Sequence, residues 1–361
     1  IVVFKGQQTK EQRQENFEKL KNGAKVILAN PEVLQSEKLL EEIAKFNIKH
    51  IAIDEAHCVS EWGDTFRPAY TTVGNIIKKL GNPVVTAFTA TASPTVLERI
   101  SQIMFDGNAH ILRSESDRPN IIYHVVKTAT KEKTALKYAE LSEKPLIVFC
   151  ATRKRAENLS KTFAEYFGYD KVKFYHAGLE KSEKDKIEKW FYPKTDAILC
   201  STCAFGMGVD KKDIRTVIHL DPPPTAESYI QEAGRGGRDG KISNAILLWS
   251  YENKFDSLKF SENSRERVLH KFAETTDCRR QILLDALGGE KTVCSGCDNC
   301  NGSSIHYAND EKIPFVFILG EDELANKTIT VKDMNNKTQV QISTTNILEE
   351  FCKVVDNSKN I

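Results

Sequence analysis

Short apolar runs alternate with amphipathic helical segments through most of this sequence, and this alternation constrains the fold more than any other feature. A short apolar run bounded by polar residues is typical of a buried strand. Strands that alternate with helices form parallel sheets covered by helices on both faces. The sequence therefore predicts an α/β protein. Its predicted strands are Val26 to Ala29, Ile51 to Asp54, Val84 to Phe88, Leu146 to Cys150, Val172 to Tyr175, Ala197 to Ser201, Thr216 to Leu220 and Ala245 to Trp249.

One segment interrupts the alternation. Residues 114–120 read Ser-Glu-Ser-Asp-Arg-Pro-Asn, so charge and proline replace the apolar pattern there. We predict a linker at this segment. It would separate a first lobe, which ends at about Arg113, from a second lobe over residues 121–250.

Composition limits the possible functions only loosely. The chain has 361 residues and a formal net charge of +1, so any nucleic-acid surface must be a local patch. No apolar run approaches the roughly 18 residues of a membrane-spanning helix, and no signal peptide opens the chain. We expect no membrane partner, and a location in the cytoplasm or nucleoid, or in the nucleus of a eukaryote.

Two adjacent carboxylates, Asp54 and Glu55, end one of the predicted strands. Mg²⁺ prefers one or two carboxylates together with phosphate oxygens, so Asp54 is a candidate ligand of the ion. A second acid beside it can orient an attacking water, which makes Glu55 a candidate catalytic residue. Paired acids are equally common on a solvated surface, and the pair alone leaves both interpretations open.

Aromatic residues lie in the loop after these acids. Trp62 and Phe66 are interleaved there with acidic residues, glycine and Arg67. Neighbouring aromatic residues more often belong to a core, but such polar surroundings are typical of a loop. The loop could stack on the bases of a single strand, at roughly 1–3 kcal/mol per base.

The second lobe contains a glycine-rich stretch from Gln231 to Gly240 that includes Arg235 and Arg238. A planar guanidinium can reach a γ-phosphate across a cleft and stabilise the charge that spreads in the transition state. Two arginines three residues apart in such a turn therefore predict a phosphate contact. A flexible basic loop is the alternative interpretation.

Four of the nine cysteines have the spacing C-x15-C-x2-C-x2-C, and they are Cys278, Cys294, Cys297 and Cys300. Four thiolates suit a closed tetrahedral Zn²⁺ site with a structural role. An iron–sulfur cluster is the alternative, because C-x2-C-x2-C also begins a ferredoxin-type run. We expect the other five cysteines to be ordinary buried thiols.

From residue 1 to about residue 302 the sequence resembles the RecQ family of ATP-dependent DNA helicases. The resemblance rests on Asp54-Glu55-Ala56-His57 with the aromatic loop after it, Thr89-Ala90-Thr91-Ala92, Asp117-Arg118-Pro119-Asn120, Tyr175 to Leu179, Gln231 to Gly240 and the four cysteines. Gly236 departs from the pattern, because the family usually has alanine there.

The resemblance implies two RecA-like lobes, a helical zinc-binding subdomain, and the use of ATP, Mg²⁺ and Zn²⁺. It also implies roles for individual residues. Asp54, Gln231, Arg235 and Arg238 would bind the nucleotide, Glu55 would act on water, His57, Thr89 and Thr91 would couple the sites, and Trp62, Phe66, Arg67 and His176 would contact DNA. A lone histidine such as His176 is more often structural.

The 361 residues contain no G-x-x-x-x-G-K-(S/T), the loop whose amides and lysine hold the β- and γ-phosphates. The chain begins at Ile1-Val2-Val3-Phe4, in the middle of the family's pattern. We therefore expect the first lobe to be incomplete at its N-terminal side. We also expect this chain by itself to hydrolyse ATP negligibly.

Beyond about residue 302 the sequence leaves the RecQ pattern. Residues 306–355 resemble part of the anticodon-binding domain of histidyl-tRNA synthetase, with strands predicted at Pro314 to Leu319, at Thr328 to Lys332 and after Asn335-Asn336. The resemblance implies tRNA as a further partner. The join near Gly302 is expected to be a fusion of two fragments, either a rearranged gene or an artefact of sequence assembly.

The sequence thus predicts five regions. They are a partial ATP-binding lobe (1–113), a linker (114–120), a second helicase lobe (121–250), a zinc-binding subdomain (251–302) and a partial anticodon-binding-like α/β segment (303–361). The predicted function is ATP-dependent 3′-to-5′ unwinding of DNA in recombination and repair, with single-stranded and duplex DNA as partners. Two alternatives stay open: a DNA-binding fragment without ATP turnover, and an accessory that binds RNA or tRNA through its C-terminal segment.

Overall fold

The computed structural model describes residues 1–61, 68–113, 117–205, 210–262, 264–290, 294–300, 314–318, 326–333 and 338–359. The chain divides into two compact units. The first unit consists of residues 1–117, 224–231 and 283–291, and the second consists of residues 118–223, 232–282 and 292–361.

The first unit contains two separate parallel sheets of two strands each, β1 with β2 and β3 with β4. Its strands are β1 (Val2–Phe4), β2 (Ile27–Ala29), β3 (His50–Ile53) and β4 (Val84–Ala87). Its helices are α1 (Lys10–Lys21), α2 (Glu37–Ala44), α3 (Cys58–Glu61), α4 (Val73–Lys79) and α5 (Pro94–Phe105).

Local sequence explains where these helices begin. Thr9 precedes α1 and forms a capping box with Gln12, in which each side chain accepts a hydrogen bond from the other's backbone N–H. Pro94 opens α5 after Ser93, at a position where a missing N–H costs nothing. The helices α4 and α5 pack on the sheet of β3 and β4 through a core that includes Val73, Val96 and Ile100.

The second unit is built on a six-stranded parallel sheet in the order β5-β10-β9-β6-β8-β7. Its strands are β5 (Ile121–Lys127), β6 (Leu146–Phe149), β7 (Val172–Tyr175), β8 (Ile198–Ser201), β9 (Thr216–His219) and β10 (Ser243–Trp249). The helices between them are α6 (Lys131–Leu141), α7 (Arg153–Phe167), α8 (Lys181–Phe191) and α9 (Ala226–Ala233), of which α9 belongs to the first unit up to Gln231.

Both faces of this sheet are covered. Every residue of β6, β8 and β9 is buried, as expected for strands in the middle of a parallel sheet. Val148 faces a core with Leu159 and Phe163 of α7, whereas Ile147 faces a second core with Phe191 of α8. The continuous apolar runs of the sequence arise because alternate residues of each strand enter opposite cores.

Three helices follow the sheet, α10 (Tyr251–Ser257), α11 (Val268–Glu274) and α12 (Arg279–Ala286). The last segment forms an antiparallel sheet of β11 (Phe315–Ile318), β12 (Thr328–Asp333) and β13 (Thr338–Ser343), followed by α13 (Ile347–Lys359). Phe351 of α13 packs on Phe315 and Phe317, with ring centroids 5.4 and 4.8 Å apart.

The α/β prediction is confirmed, and every predicted strand has a counterpart within two residues at each end. The strand prediction omitted β1 and β5. The run of β5 contains His124 and follows directly on the segment predicted as a linker, so its apolar pattern is short. The expectation that five cysteines are buried is wrong for Cys203 and Cys352, which are exposed. None of the helices among the described residues is long and apolar enough to span a membrane.

Candidate nucleotide site and zinc centre

Asp54 and Glu55 lie at the carboxyl end of β3, and both side chains are exposed. The backbone turns sharply there, because Glu55 has a left-handed φ of 51° and its N–H donates to Asp54 Oδ1 at 2.9 Å. The end of β4 is held alongside by two backbone bonds, from Phe88 N to the Ile53 carbonyl and from Ala56 N to the Phe88 carbonyl. Two carboxylates are thus presented to solvent at the end of a parallel sheet, where ligands of α/β folds commonly bind.

His57, Thr89, Thr91 and Gln231 form one hydrogen-bonded network in the first unit. The buried His57 ring has Nδ1 3.0 Å from Thr89 Oγ1 and 3.2 Å from Glu55 Oε2. Thr89 Oγ1 donates to the Thr91 carbonyl at 3.0 Å. Gln231 Nε2 donates to Thr91 Oγ1 at 2.7 Å and lies 3.2 Å from His57 Nε2.

This network indicates the tautomer of His57. Since the Gln231 amide nitrogen can only donate, His57 Nε2 accepts and Nδ1 carries the proton toward Thr89 and Glu55. The structure therefore brings three predicted coupling residues together with Gln231, next to the acidic pair.

The arginine turn, residues 234–240, lies in the second unit and is held by backbone bonds. Gly237 N donates to the Ile214 carbonyl at 2.8 Å, and Asp239 N donates to the Lys212 carbonyl at 3.1 Å. Gly237 has a left-handed φ of 56°, which favours glycine. In the turn, Arg235 is half-buried, while Arg238 is exposed and donates to Asp210 Oδ1 at 3.1 Å.

His176 is buried, although it was predicted to contact DNA. Its Nε2 lies 3.0 Å from Glu157 Oε1, and its ring stacks on Phe174. Its Nδ1 has no hydrogen-bond partner within the described part of the chain. Arg153 lies close to this loop, because its Nη1 is 2.8 Å from the position that a Cβ on Gly178 would take. Arg153 is exposed, and the sequence did not point to it.

Trp62, Phe66 and Arg67 lie outside the described residues, as do residues 206–209. Their predicted contact with a single strand therefore stays a prediction.

An acidic side chain that the sequence analysis missed lies at the carboxyl end of the six-stranded sheet. Asp221 accepts from Ala151 N at 3.1 Å and from the Arg155 guanidinium, and it lies 3.5 Å from Lys131 Nζ. Burial lowers the pKa of Lys131, and burial raises the pKa of nearby Cys150 to about 12. Cys150 is therefore a protonated, unreactive thiol at neutral pH.

The four predicted metal ligands meet in one cluster in the second unit. The sulfurs of Cys278, Cys294, Cys297 and Cys300 all lie within 4.8 Å of one another. A tetrahedral zinc site with Zn–S bonds of about 2.3 Å separates its sulfurs by about 3.8 Å, so a small contraction would accommodate the ion. Among the residues that the structure describes, the cluster contains four sulfurs and no histidine or carboxylate donor, which fits a closed structural site rather than an open catalytic one.

The thiols of this cluster differ in acidity. Burial raises the pKa of Cys294 to about 11, and it also raises the pKa of Cys300. Burial alone would raise the pKa of Cys297 as well, but hydrogen bonds from the backbone of Cys300 and Arg279 lower it below its ordinary value. Cys297 is thus the sulfur best prepared to be a thiolate, the form that binds a metal.

Contacts around the cluster attach it to the edge strand β5. Asp298 accepts from Val125 N at 2.8 Å and from the buried Arg279 side chain, while its own N–H donates to the Tyr123 carbonyl at 2.9 Å. The sequence analysis missed Asp298 and Arg279, because only the fold brings β5 next to the cysteine loop.

Four family models match the chain in succession. Residues 2–100 match a DEAD/DEAH box helicase model, and residues 130–240 match the helicase conserved C-terminal domain. Residues 253–301 match the RecQ zinc-binding model, and residues 297–353 match an anticodon binding domain. The zinc-binding match favours zinc over an iron–sulfur cluster in the four-cysteine site.

Two curated relatives are named as ATP-dependent DNA helicases. The chain is 39% identical over 279 residues to the probable ATP-dependent DNA helicase RecS of Bacillus subtilis, which covers 74% of this chain and 56% of the relative. It is 31% identical over 307 residues to the ATP-dependent DNA helicase RecQ of Pasteurella multocida, covering 81% of this chain and 48% of the relative. The chain thus spans about half the length of these relatives.

Solved structures of more distant helicases share the fold. The DEAD-box helicase Mss116 bound to ssRNA and UDP-BeF has a TM-score of 0.57 at 19% identity, covering 80% of this chain and 61% of that chain. The DUF1998 helicase MrfA bound to DNA and AMPPNP has a TM-score of 0.55 at 19% identity, covering 88% of this chain and 48% of that chain.

Proposed function

Residues 2–301 of this chain belong to the RecQ family of helicases, and from this we propose that they serve an ATP-dependent 3′-to-5′ DNA helicase of recombination and repair. The alternatives, an inactive DNA-binding fragment and an accessory that binds RNA or tRNA, are not favoured, because the two relatives described above are named as ATP-dependent DNA helicases.

The acidic pair supports the nucleotide role. We assign Asp54 to Mg²⁺ and Glu55 to the attacking water, since both carboxylates are exposed at the end of β3. The ion would neutralise phosphate charge. Arg235 and Arg238 would stabilise the charge that develops on the γ-phosphate, as planar guanidinium groups do in related transfers.

The network of His57, Thr89, Thr91 and Gln231 is the observation that supports this proposal best. It joins Glu55 of the acidic pair, through the His57 ring, to two threonines and to the side-chain amide of Gln231, which lies five residues before Gly236 in the sequence. A shift of Glu55 on hydrolysis would change the partner of His57 Nδ1, and the change would pass to Thr89 and Gln231. We propose that this is how nucleotide state and nucleic-acid binding are coupled.

We propose single-stranded and duplex DNA as partners and Zn²⁺ as a structural cofactor. The four-sulfur cluster and the zinc-binding match support the ion. Trp62, Phe66 and Arg67 are proposed to contact the single strand. His176 is also proposed to contact DNA, although it is buried, at a position near the exposed Arg153. The anticodon-binding match of residues 297–353 is not accompanied by a tRNA-binding relative among those described above.

A polypeptide of these 361 residues alone is proposed not to turn over ATP. The sequence contains no Walker A loop, so it has neither the amides nor the lysine that hold the β- and γ-phosphates. We expect it to bind single-stranded DNA with an affinity that falls as salt rises, because phosphate contacts release counterions.

A chimera tests the assignment. We would join a Walker A-bearing N-terminal segment of a RecQ relative to Ile1 and measure DNA-stimulated ATP hydrolysis. Asp54→Asn and Glu55→Gln should each lower kcat by about 100-fold or more, while Glu41→Gln, on the exposed face of α2, should not. A chimera without DNA-stimulated hydrolysis would contradict the helicase assignment, and appreciable hydrolysis by the 361-residue chain alone would contradict its proposed inactivity.

A further inference from the structure

Arg118 and Asn120, which the sequence analysis placed in a linker, hold the arginine turn. The Arg118 guanidinium donates to three carbonyls of the turn, those of Gly234 at 3.3 Å, Gly236 at 3.1 Å and Gly237 at 3.0 Å. Asn120 Nδ2 donates to the Gly237 carbonyl at 2.7 Å and to the Lys241 carbonyl at 2.8 Å. These carbonyls flank the two arginines that we assign to the γ-phosphate.

A glycine-rich turn depends on such outside donors. Glycines have no side chains to pack, and their backbone has more conformational freedom than that of other residues. A Cβ on Gly237 would lie only 2.4 Å from Asn120 Nδ2, so the donor approaches the turn as closely as a bare backbone allows. Arg118 and Asn120 therefore bond the carbonyls of the turn, while the backbone carbonyls of Ile214 and Lys212 bond its N–H groups.

A second arginine connects this arrangement to residues 294–300, the zinc-binding loop, which contains Cys294, Cys297 and Cys300. Arg280 is 1% exposed, and its Nη1 donates to the Arg118 carbonyl at 3.0 Å. Its Nη2 donates to the Ile121 carbonyl and, at 3.2 Å, to the carbonyl of Gly296, which lies between Cys294 and Cys297. The guanidinium also stacks over the Tyr123 ring, 5.2 Å from its centroid.

We propose that Arg118 is a positioning residue for Arg235 and Arg238, and that Arg280 makes this positioning depend on the zinc-binding loop. The two guanidinium groups form a continuous path from Gly296 through the Arg118 backbone to the carbonyls of the arginine turn. Any effect of these contacts on ATP hydrolysis rests on the proposed function. The path itself lies within one compact unit and requires neither ATP nor DNA.

Hydrogen exchange in the zinc-loaded 361-residue chain tests this proposal. Lysine at position 118 keeps the charge but cannot donate to three carbonyls in the fixed geometry of a guanidinium. Arg118→Lys should therefore accelerate exchange of the arginine-turn amides by about tenfold or more, with little change at the central strands. Arg13→Lys, in α1 of the first unit, is the matched control and should leave the turn unchanged.

Zinc removal provides the second arm. A chelator should accelerate exchange in the turn of the wild-type chain, and Arg280→Lys should do the same with zinc bound. In Arg118→Lys the chelator should cause little further acceleration of amide exchange in the turn, because the hydrogen bonds from Arg118 that transmit the effect are already lost. If Arg118→Lys does not fold, Arg118→Gln, which keeps one amide donor but lacks the guanidinium geometry, replaces it.

Unchanged exchange in the turn of both Arg118→Lys and Arg280→Lys would overturn the proposal. An equal increment on zinc removal in wild type and in Arg118→Lys would overturn the dependence on the zinc-binding loop. The measurement is independent of ATP hydrolysis, so its failure and a failure of the helicase assignment are separate results.

Discussion

Gly236 lies in the arginine turn beside the buried side chain of Ser243. A Cβ on Gly236 would lie 2.2 Å from Ser243 Oγ and 3.0 Å from Ser243 Cβ. Ser243 is 1% exposed, and its hydroxyl has no hydrogen-bond partner in the described part of the chain. The hydroxyl of Ser243 thus occupies the space that a methyl group at position 236 would need, which explains how this chain departs from the usual alanine of RecQ helicases.

The pair can be separated by a double-mutant cycle. Gly236→Ala should lower the free energy of unfolding by about 1–3 kcal/mol, because it overpacks a filled site. Ser243→Ala should be neutral or slightly stabilising, since it removes an unpaired buried hydroxyl. In the double variant the cost of Gly236→Ala should be clearly smaller.

Chemical denaturation of the four proteins measures the cycle. Gly6→Ala, at a glycine with open space around it, is the control for a change from glycine to alanine. Equal costs of Gly236→Ala with serine and with alanine at position 243 would contradict the explanation.

His270 is a second residue with a testable role. It lies in α11 with Nδ1 2.6 Å from Ser257 Oγ and its ring edge-on to Trp249. Burial lowers its pKa, with Arg267 and Lys254 acting in the same direction and Glu274 opposing them. A depressed histidine pKa means that the unfolded chain binds the proton more readily, so the stabilising contribution is complete above the unfolded pKa and is lost as pH falls.

We therefore expect stability to depend on pH through this residue. From about pH 7 to about pH 5.5, the unfolding free energy of the wild type should fall more than that of His270→Gln. Urea unfolding of the zinc-loaded proteins measures both. Parallel curves for the two proteins over this range would count against the assignment.

At the scale of elements, β5 shows how the zinc-binding loop and the large sheet depend on each other. β5 is an edge strand, and unpaired edge groups are a liability in any sheet. The loop covers this edge through Asp298, which bonds Val125 N and the Tyr123 carbonyl, and Tyr123 forms a bridge with Cys297. Loss of the metal should therefore also weaken the contacts that cover the edge of β5.

Replacement of one ligand tests this dependence. Cys297→Ser should lower the bound zinc from about one ion per chain to nearly none, because a closed site needs all four ligands. It should also accelerate amide exchange at Val125. Cys352→Ser changes an exposed cysteine outside the cluster and should preserve zinc content and exchange. Full zinc content in Cys297→Ser would refute the assigned ligand set.

At the scale of the whole molecule, the chain combines two kinds of architecture. The six-stranded sheet is parallel and buried on both faces, whereas β11, β12 and β13 form a small antiparallel sheet. Hairpin connections suffice for the latter, while parallel strands require crossover helices. The change of architecture agrees with the change of family match from the helicase and zinc-binding models to the anticodon binding domain.

Truncation shows which part binds nucleic acid. A chain that ends at residue 302 should retain its zinc and bind single-stranded DNA within about twofold of the 361-residue chain, because we assign the phosphate contacts to the helicase part. Fluorescence anisotropy with labelled DNA, and with tRNA as competitor, measures both. A preference for tRNA that disappears on truncation would contradict the prediction and revive a role for the C-terminal segment.

The sequence by itself determined the class of the fold, and it pointed to cysteines that the structure brings together. Parallel strands are continuous apolar runs because both faces are buried, so β6, β8 and β9 could be read directly. Cysteine spacing predicted four metal ligands, and the structure brings their sulfurs within 4.8 Å of one another. Both signals depend on residues that are close together in the sequence, so they can be recognised without the structure.

Only the tertiary structure decided which residues support those sites. Arg118, which the sequence places in a predicted linker, bonds a turn more than a hundred positions away, and His176, whose DNA contact stays a prediction, is buried with Nε2 3.0 Å from Glu157 Oε1. The physical reason is that a hydrogen bond depends on proximity and direction in space. Isolated charged residues, prolines and histidines form no repeating pattern in the sequence, so their partners in the folded chain cannot be predicted from it.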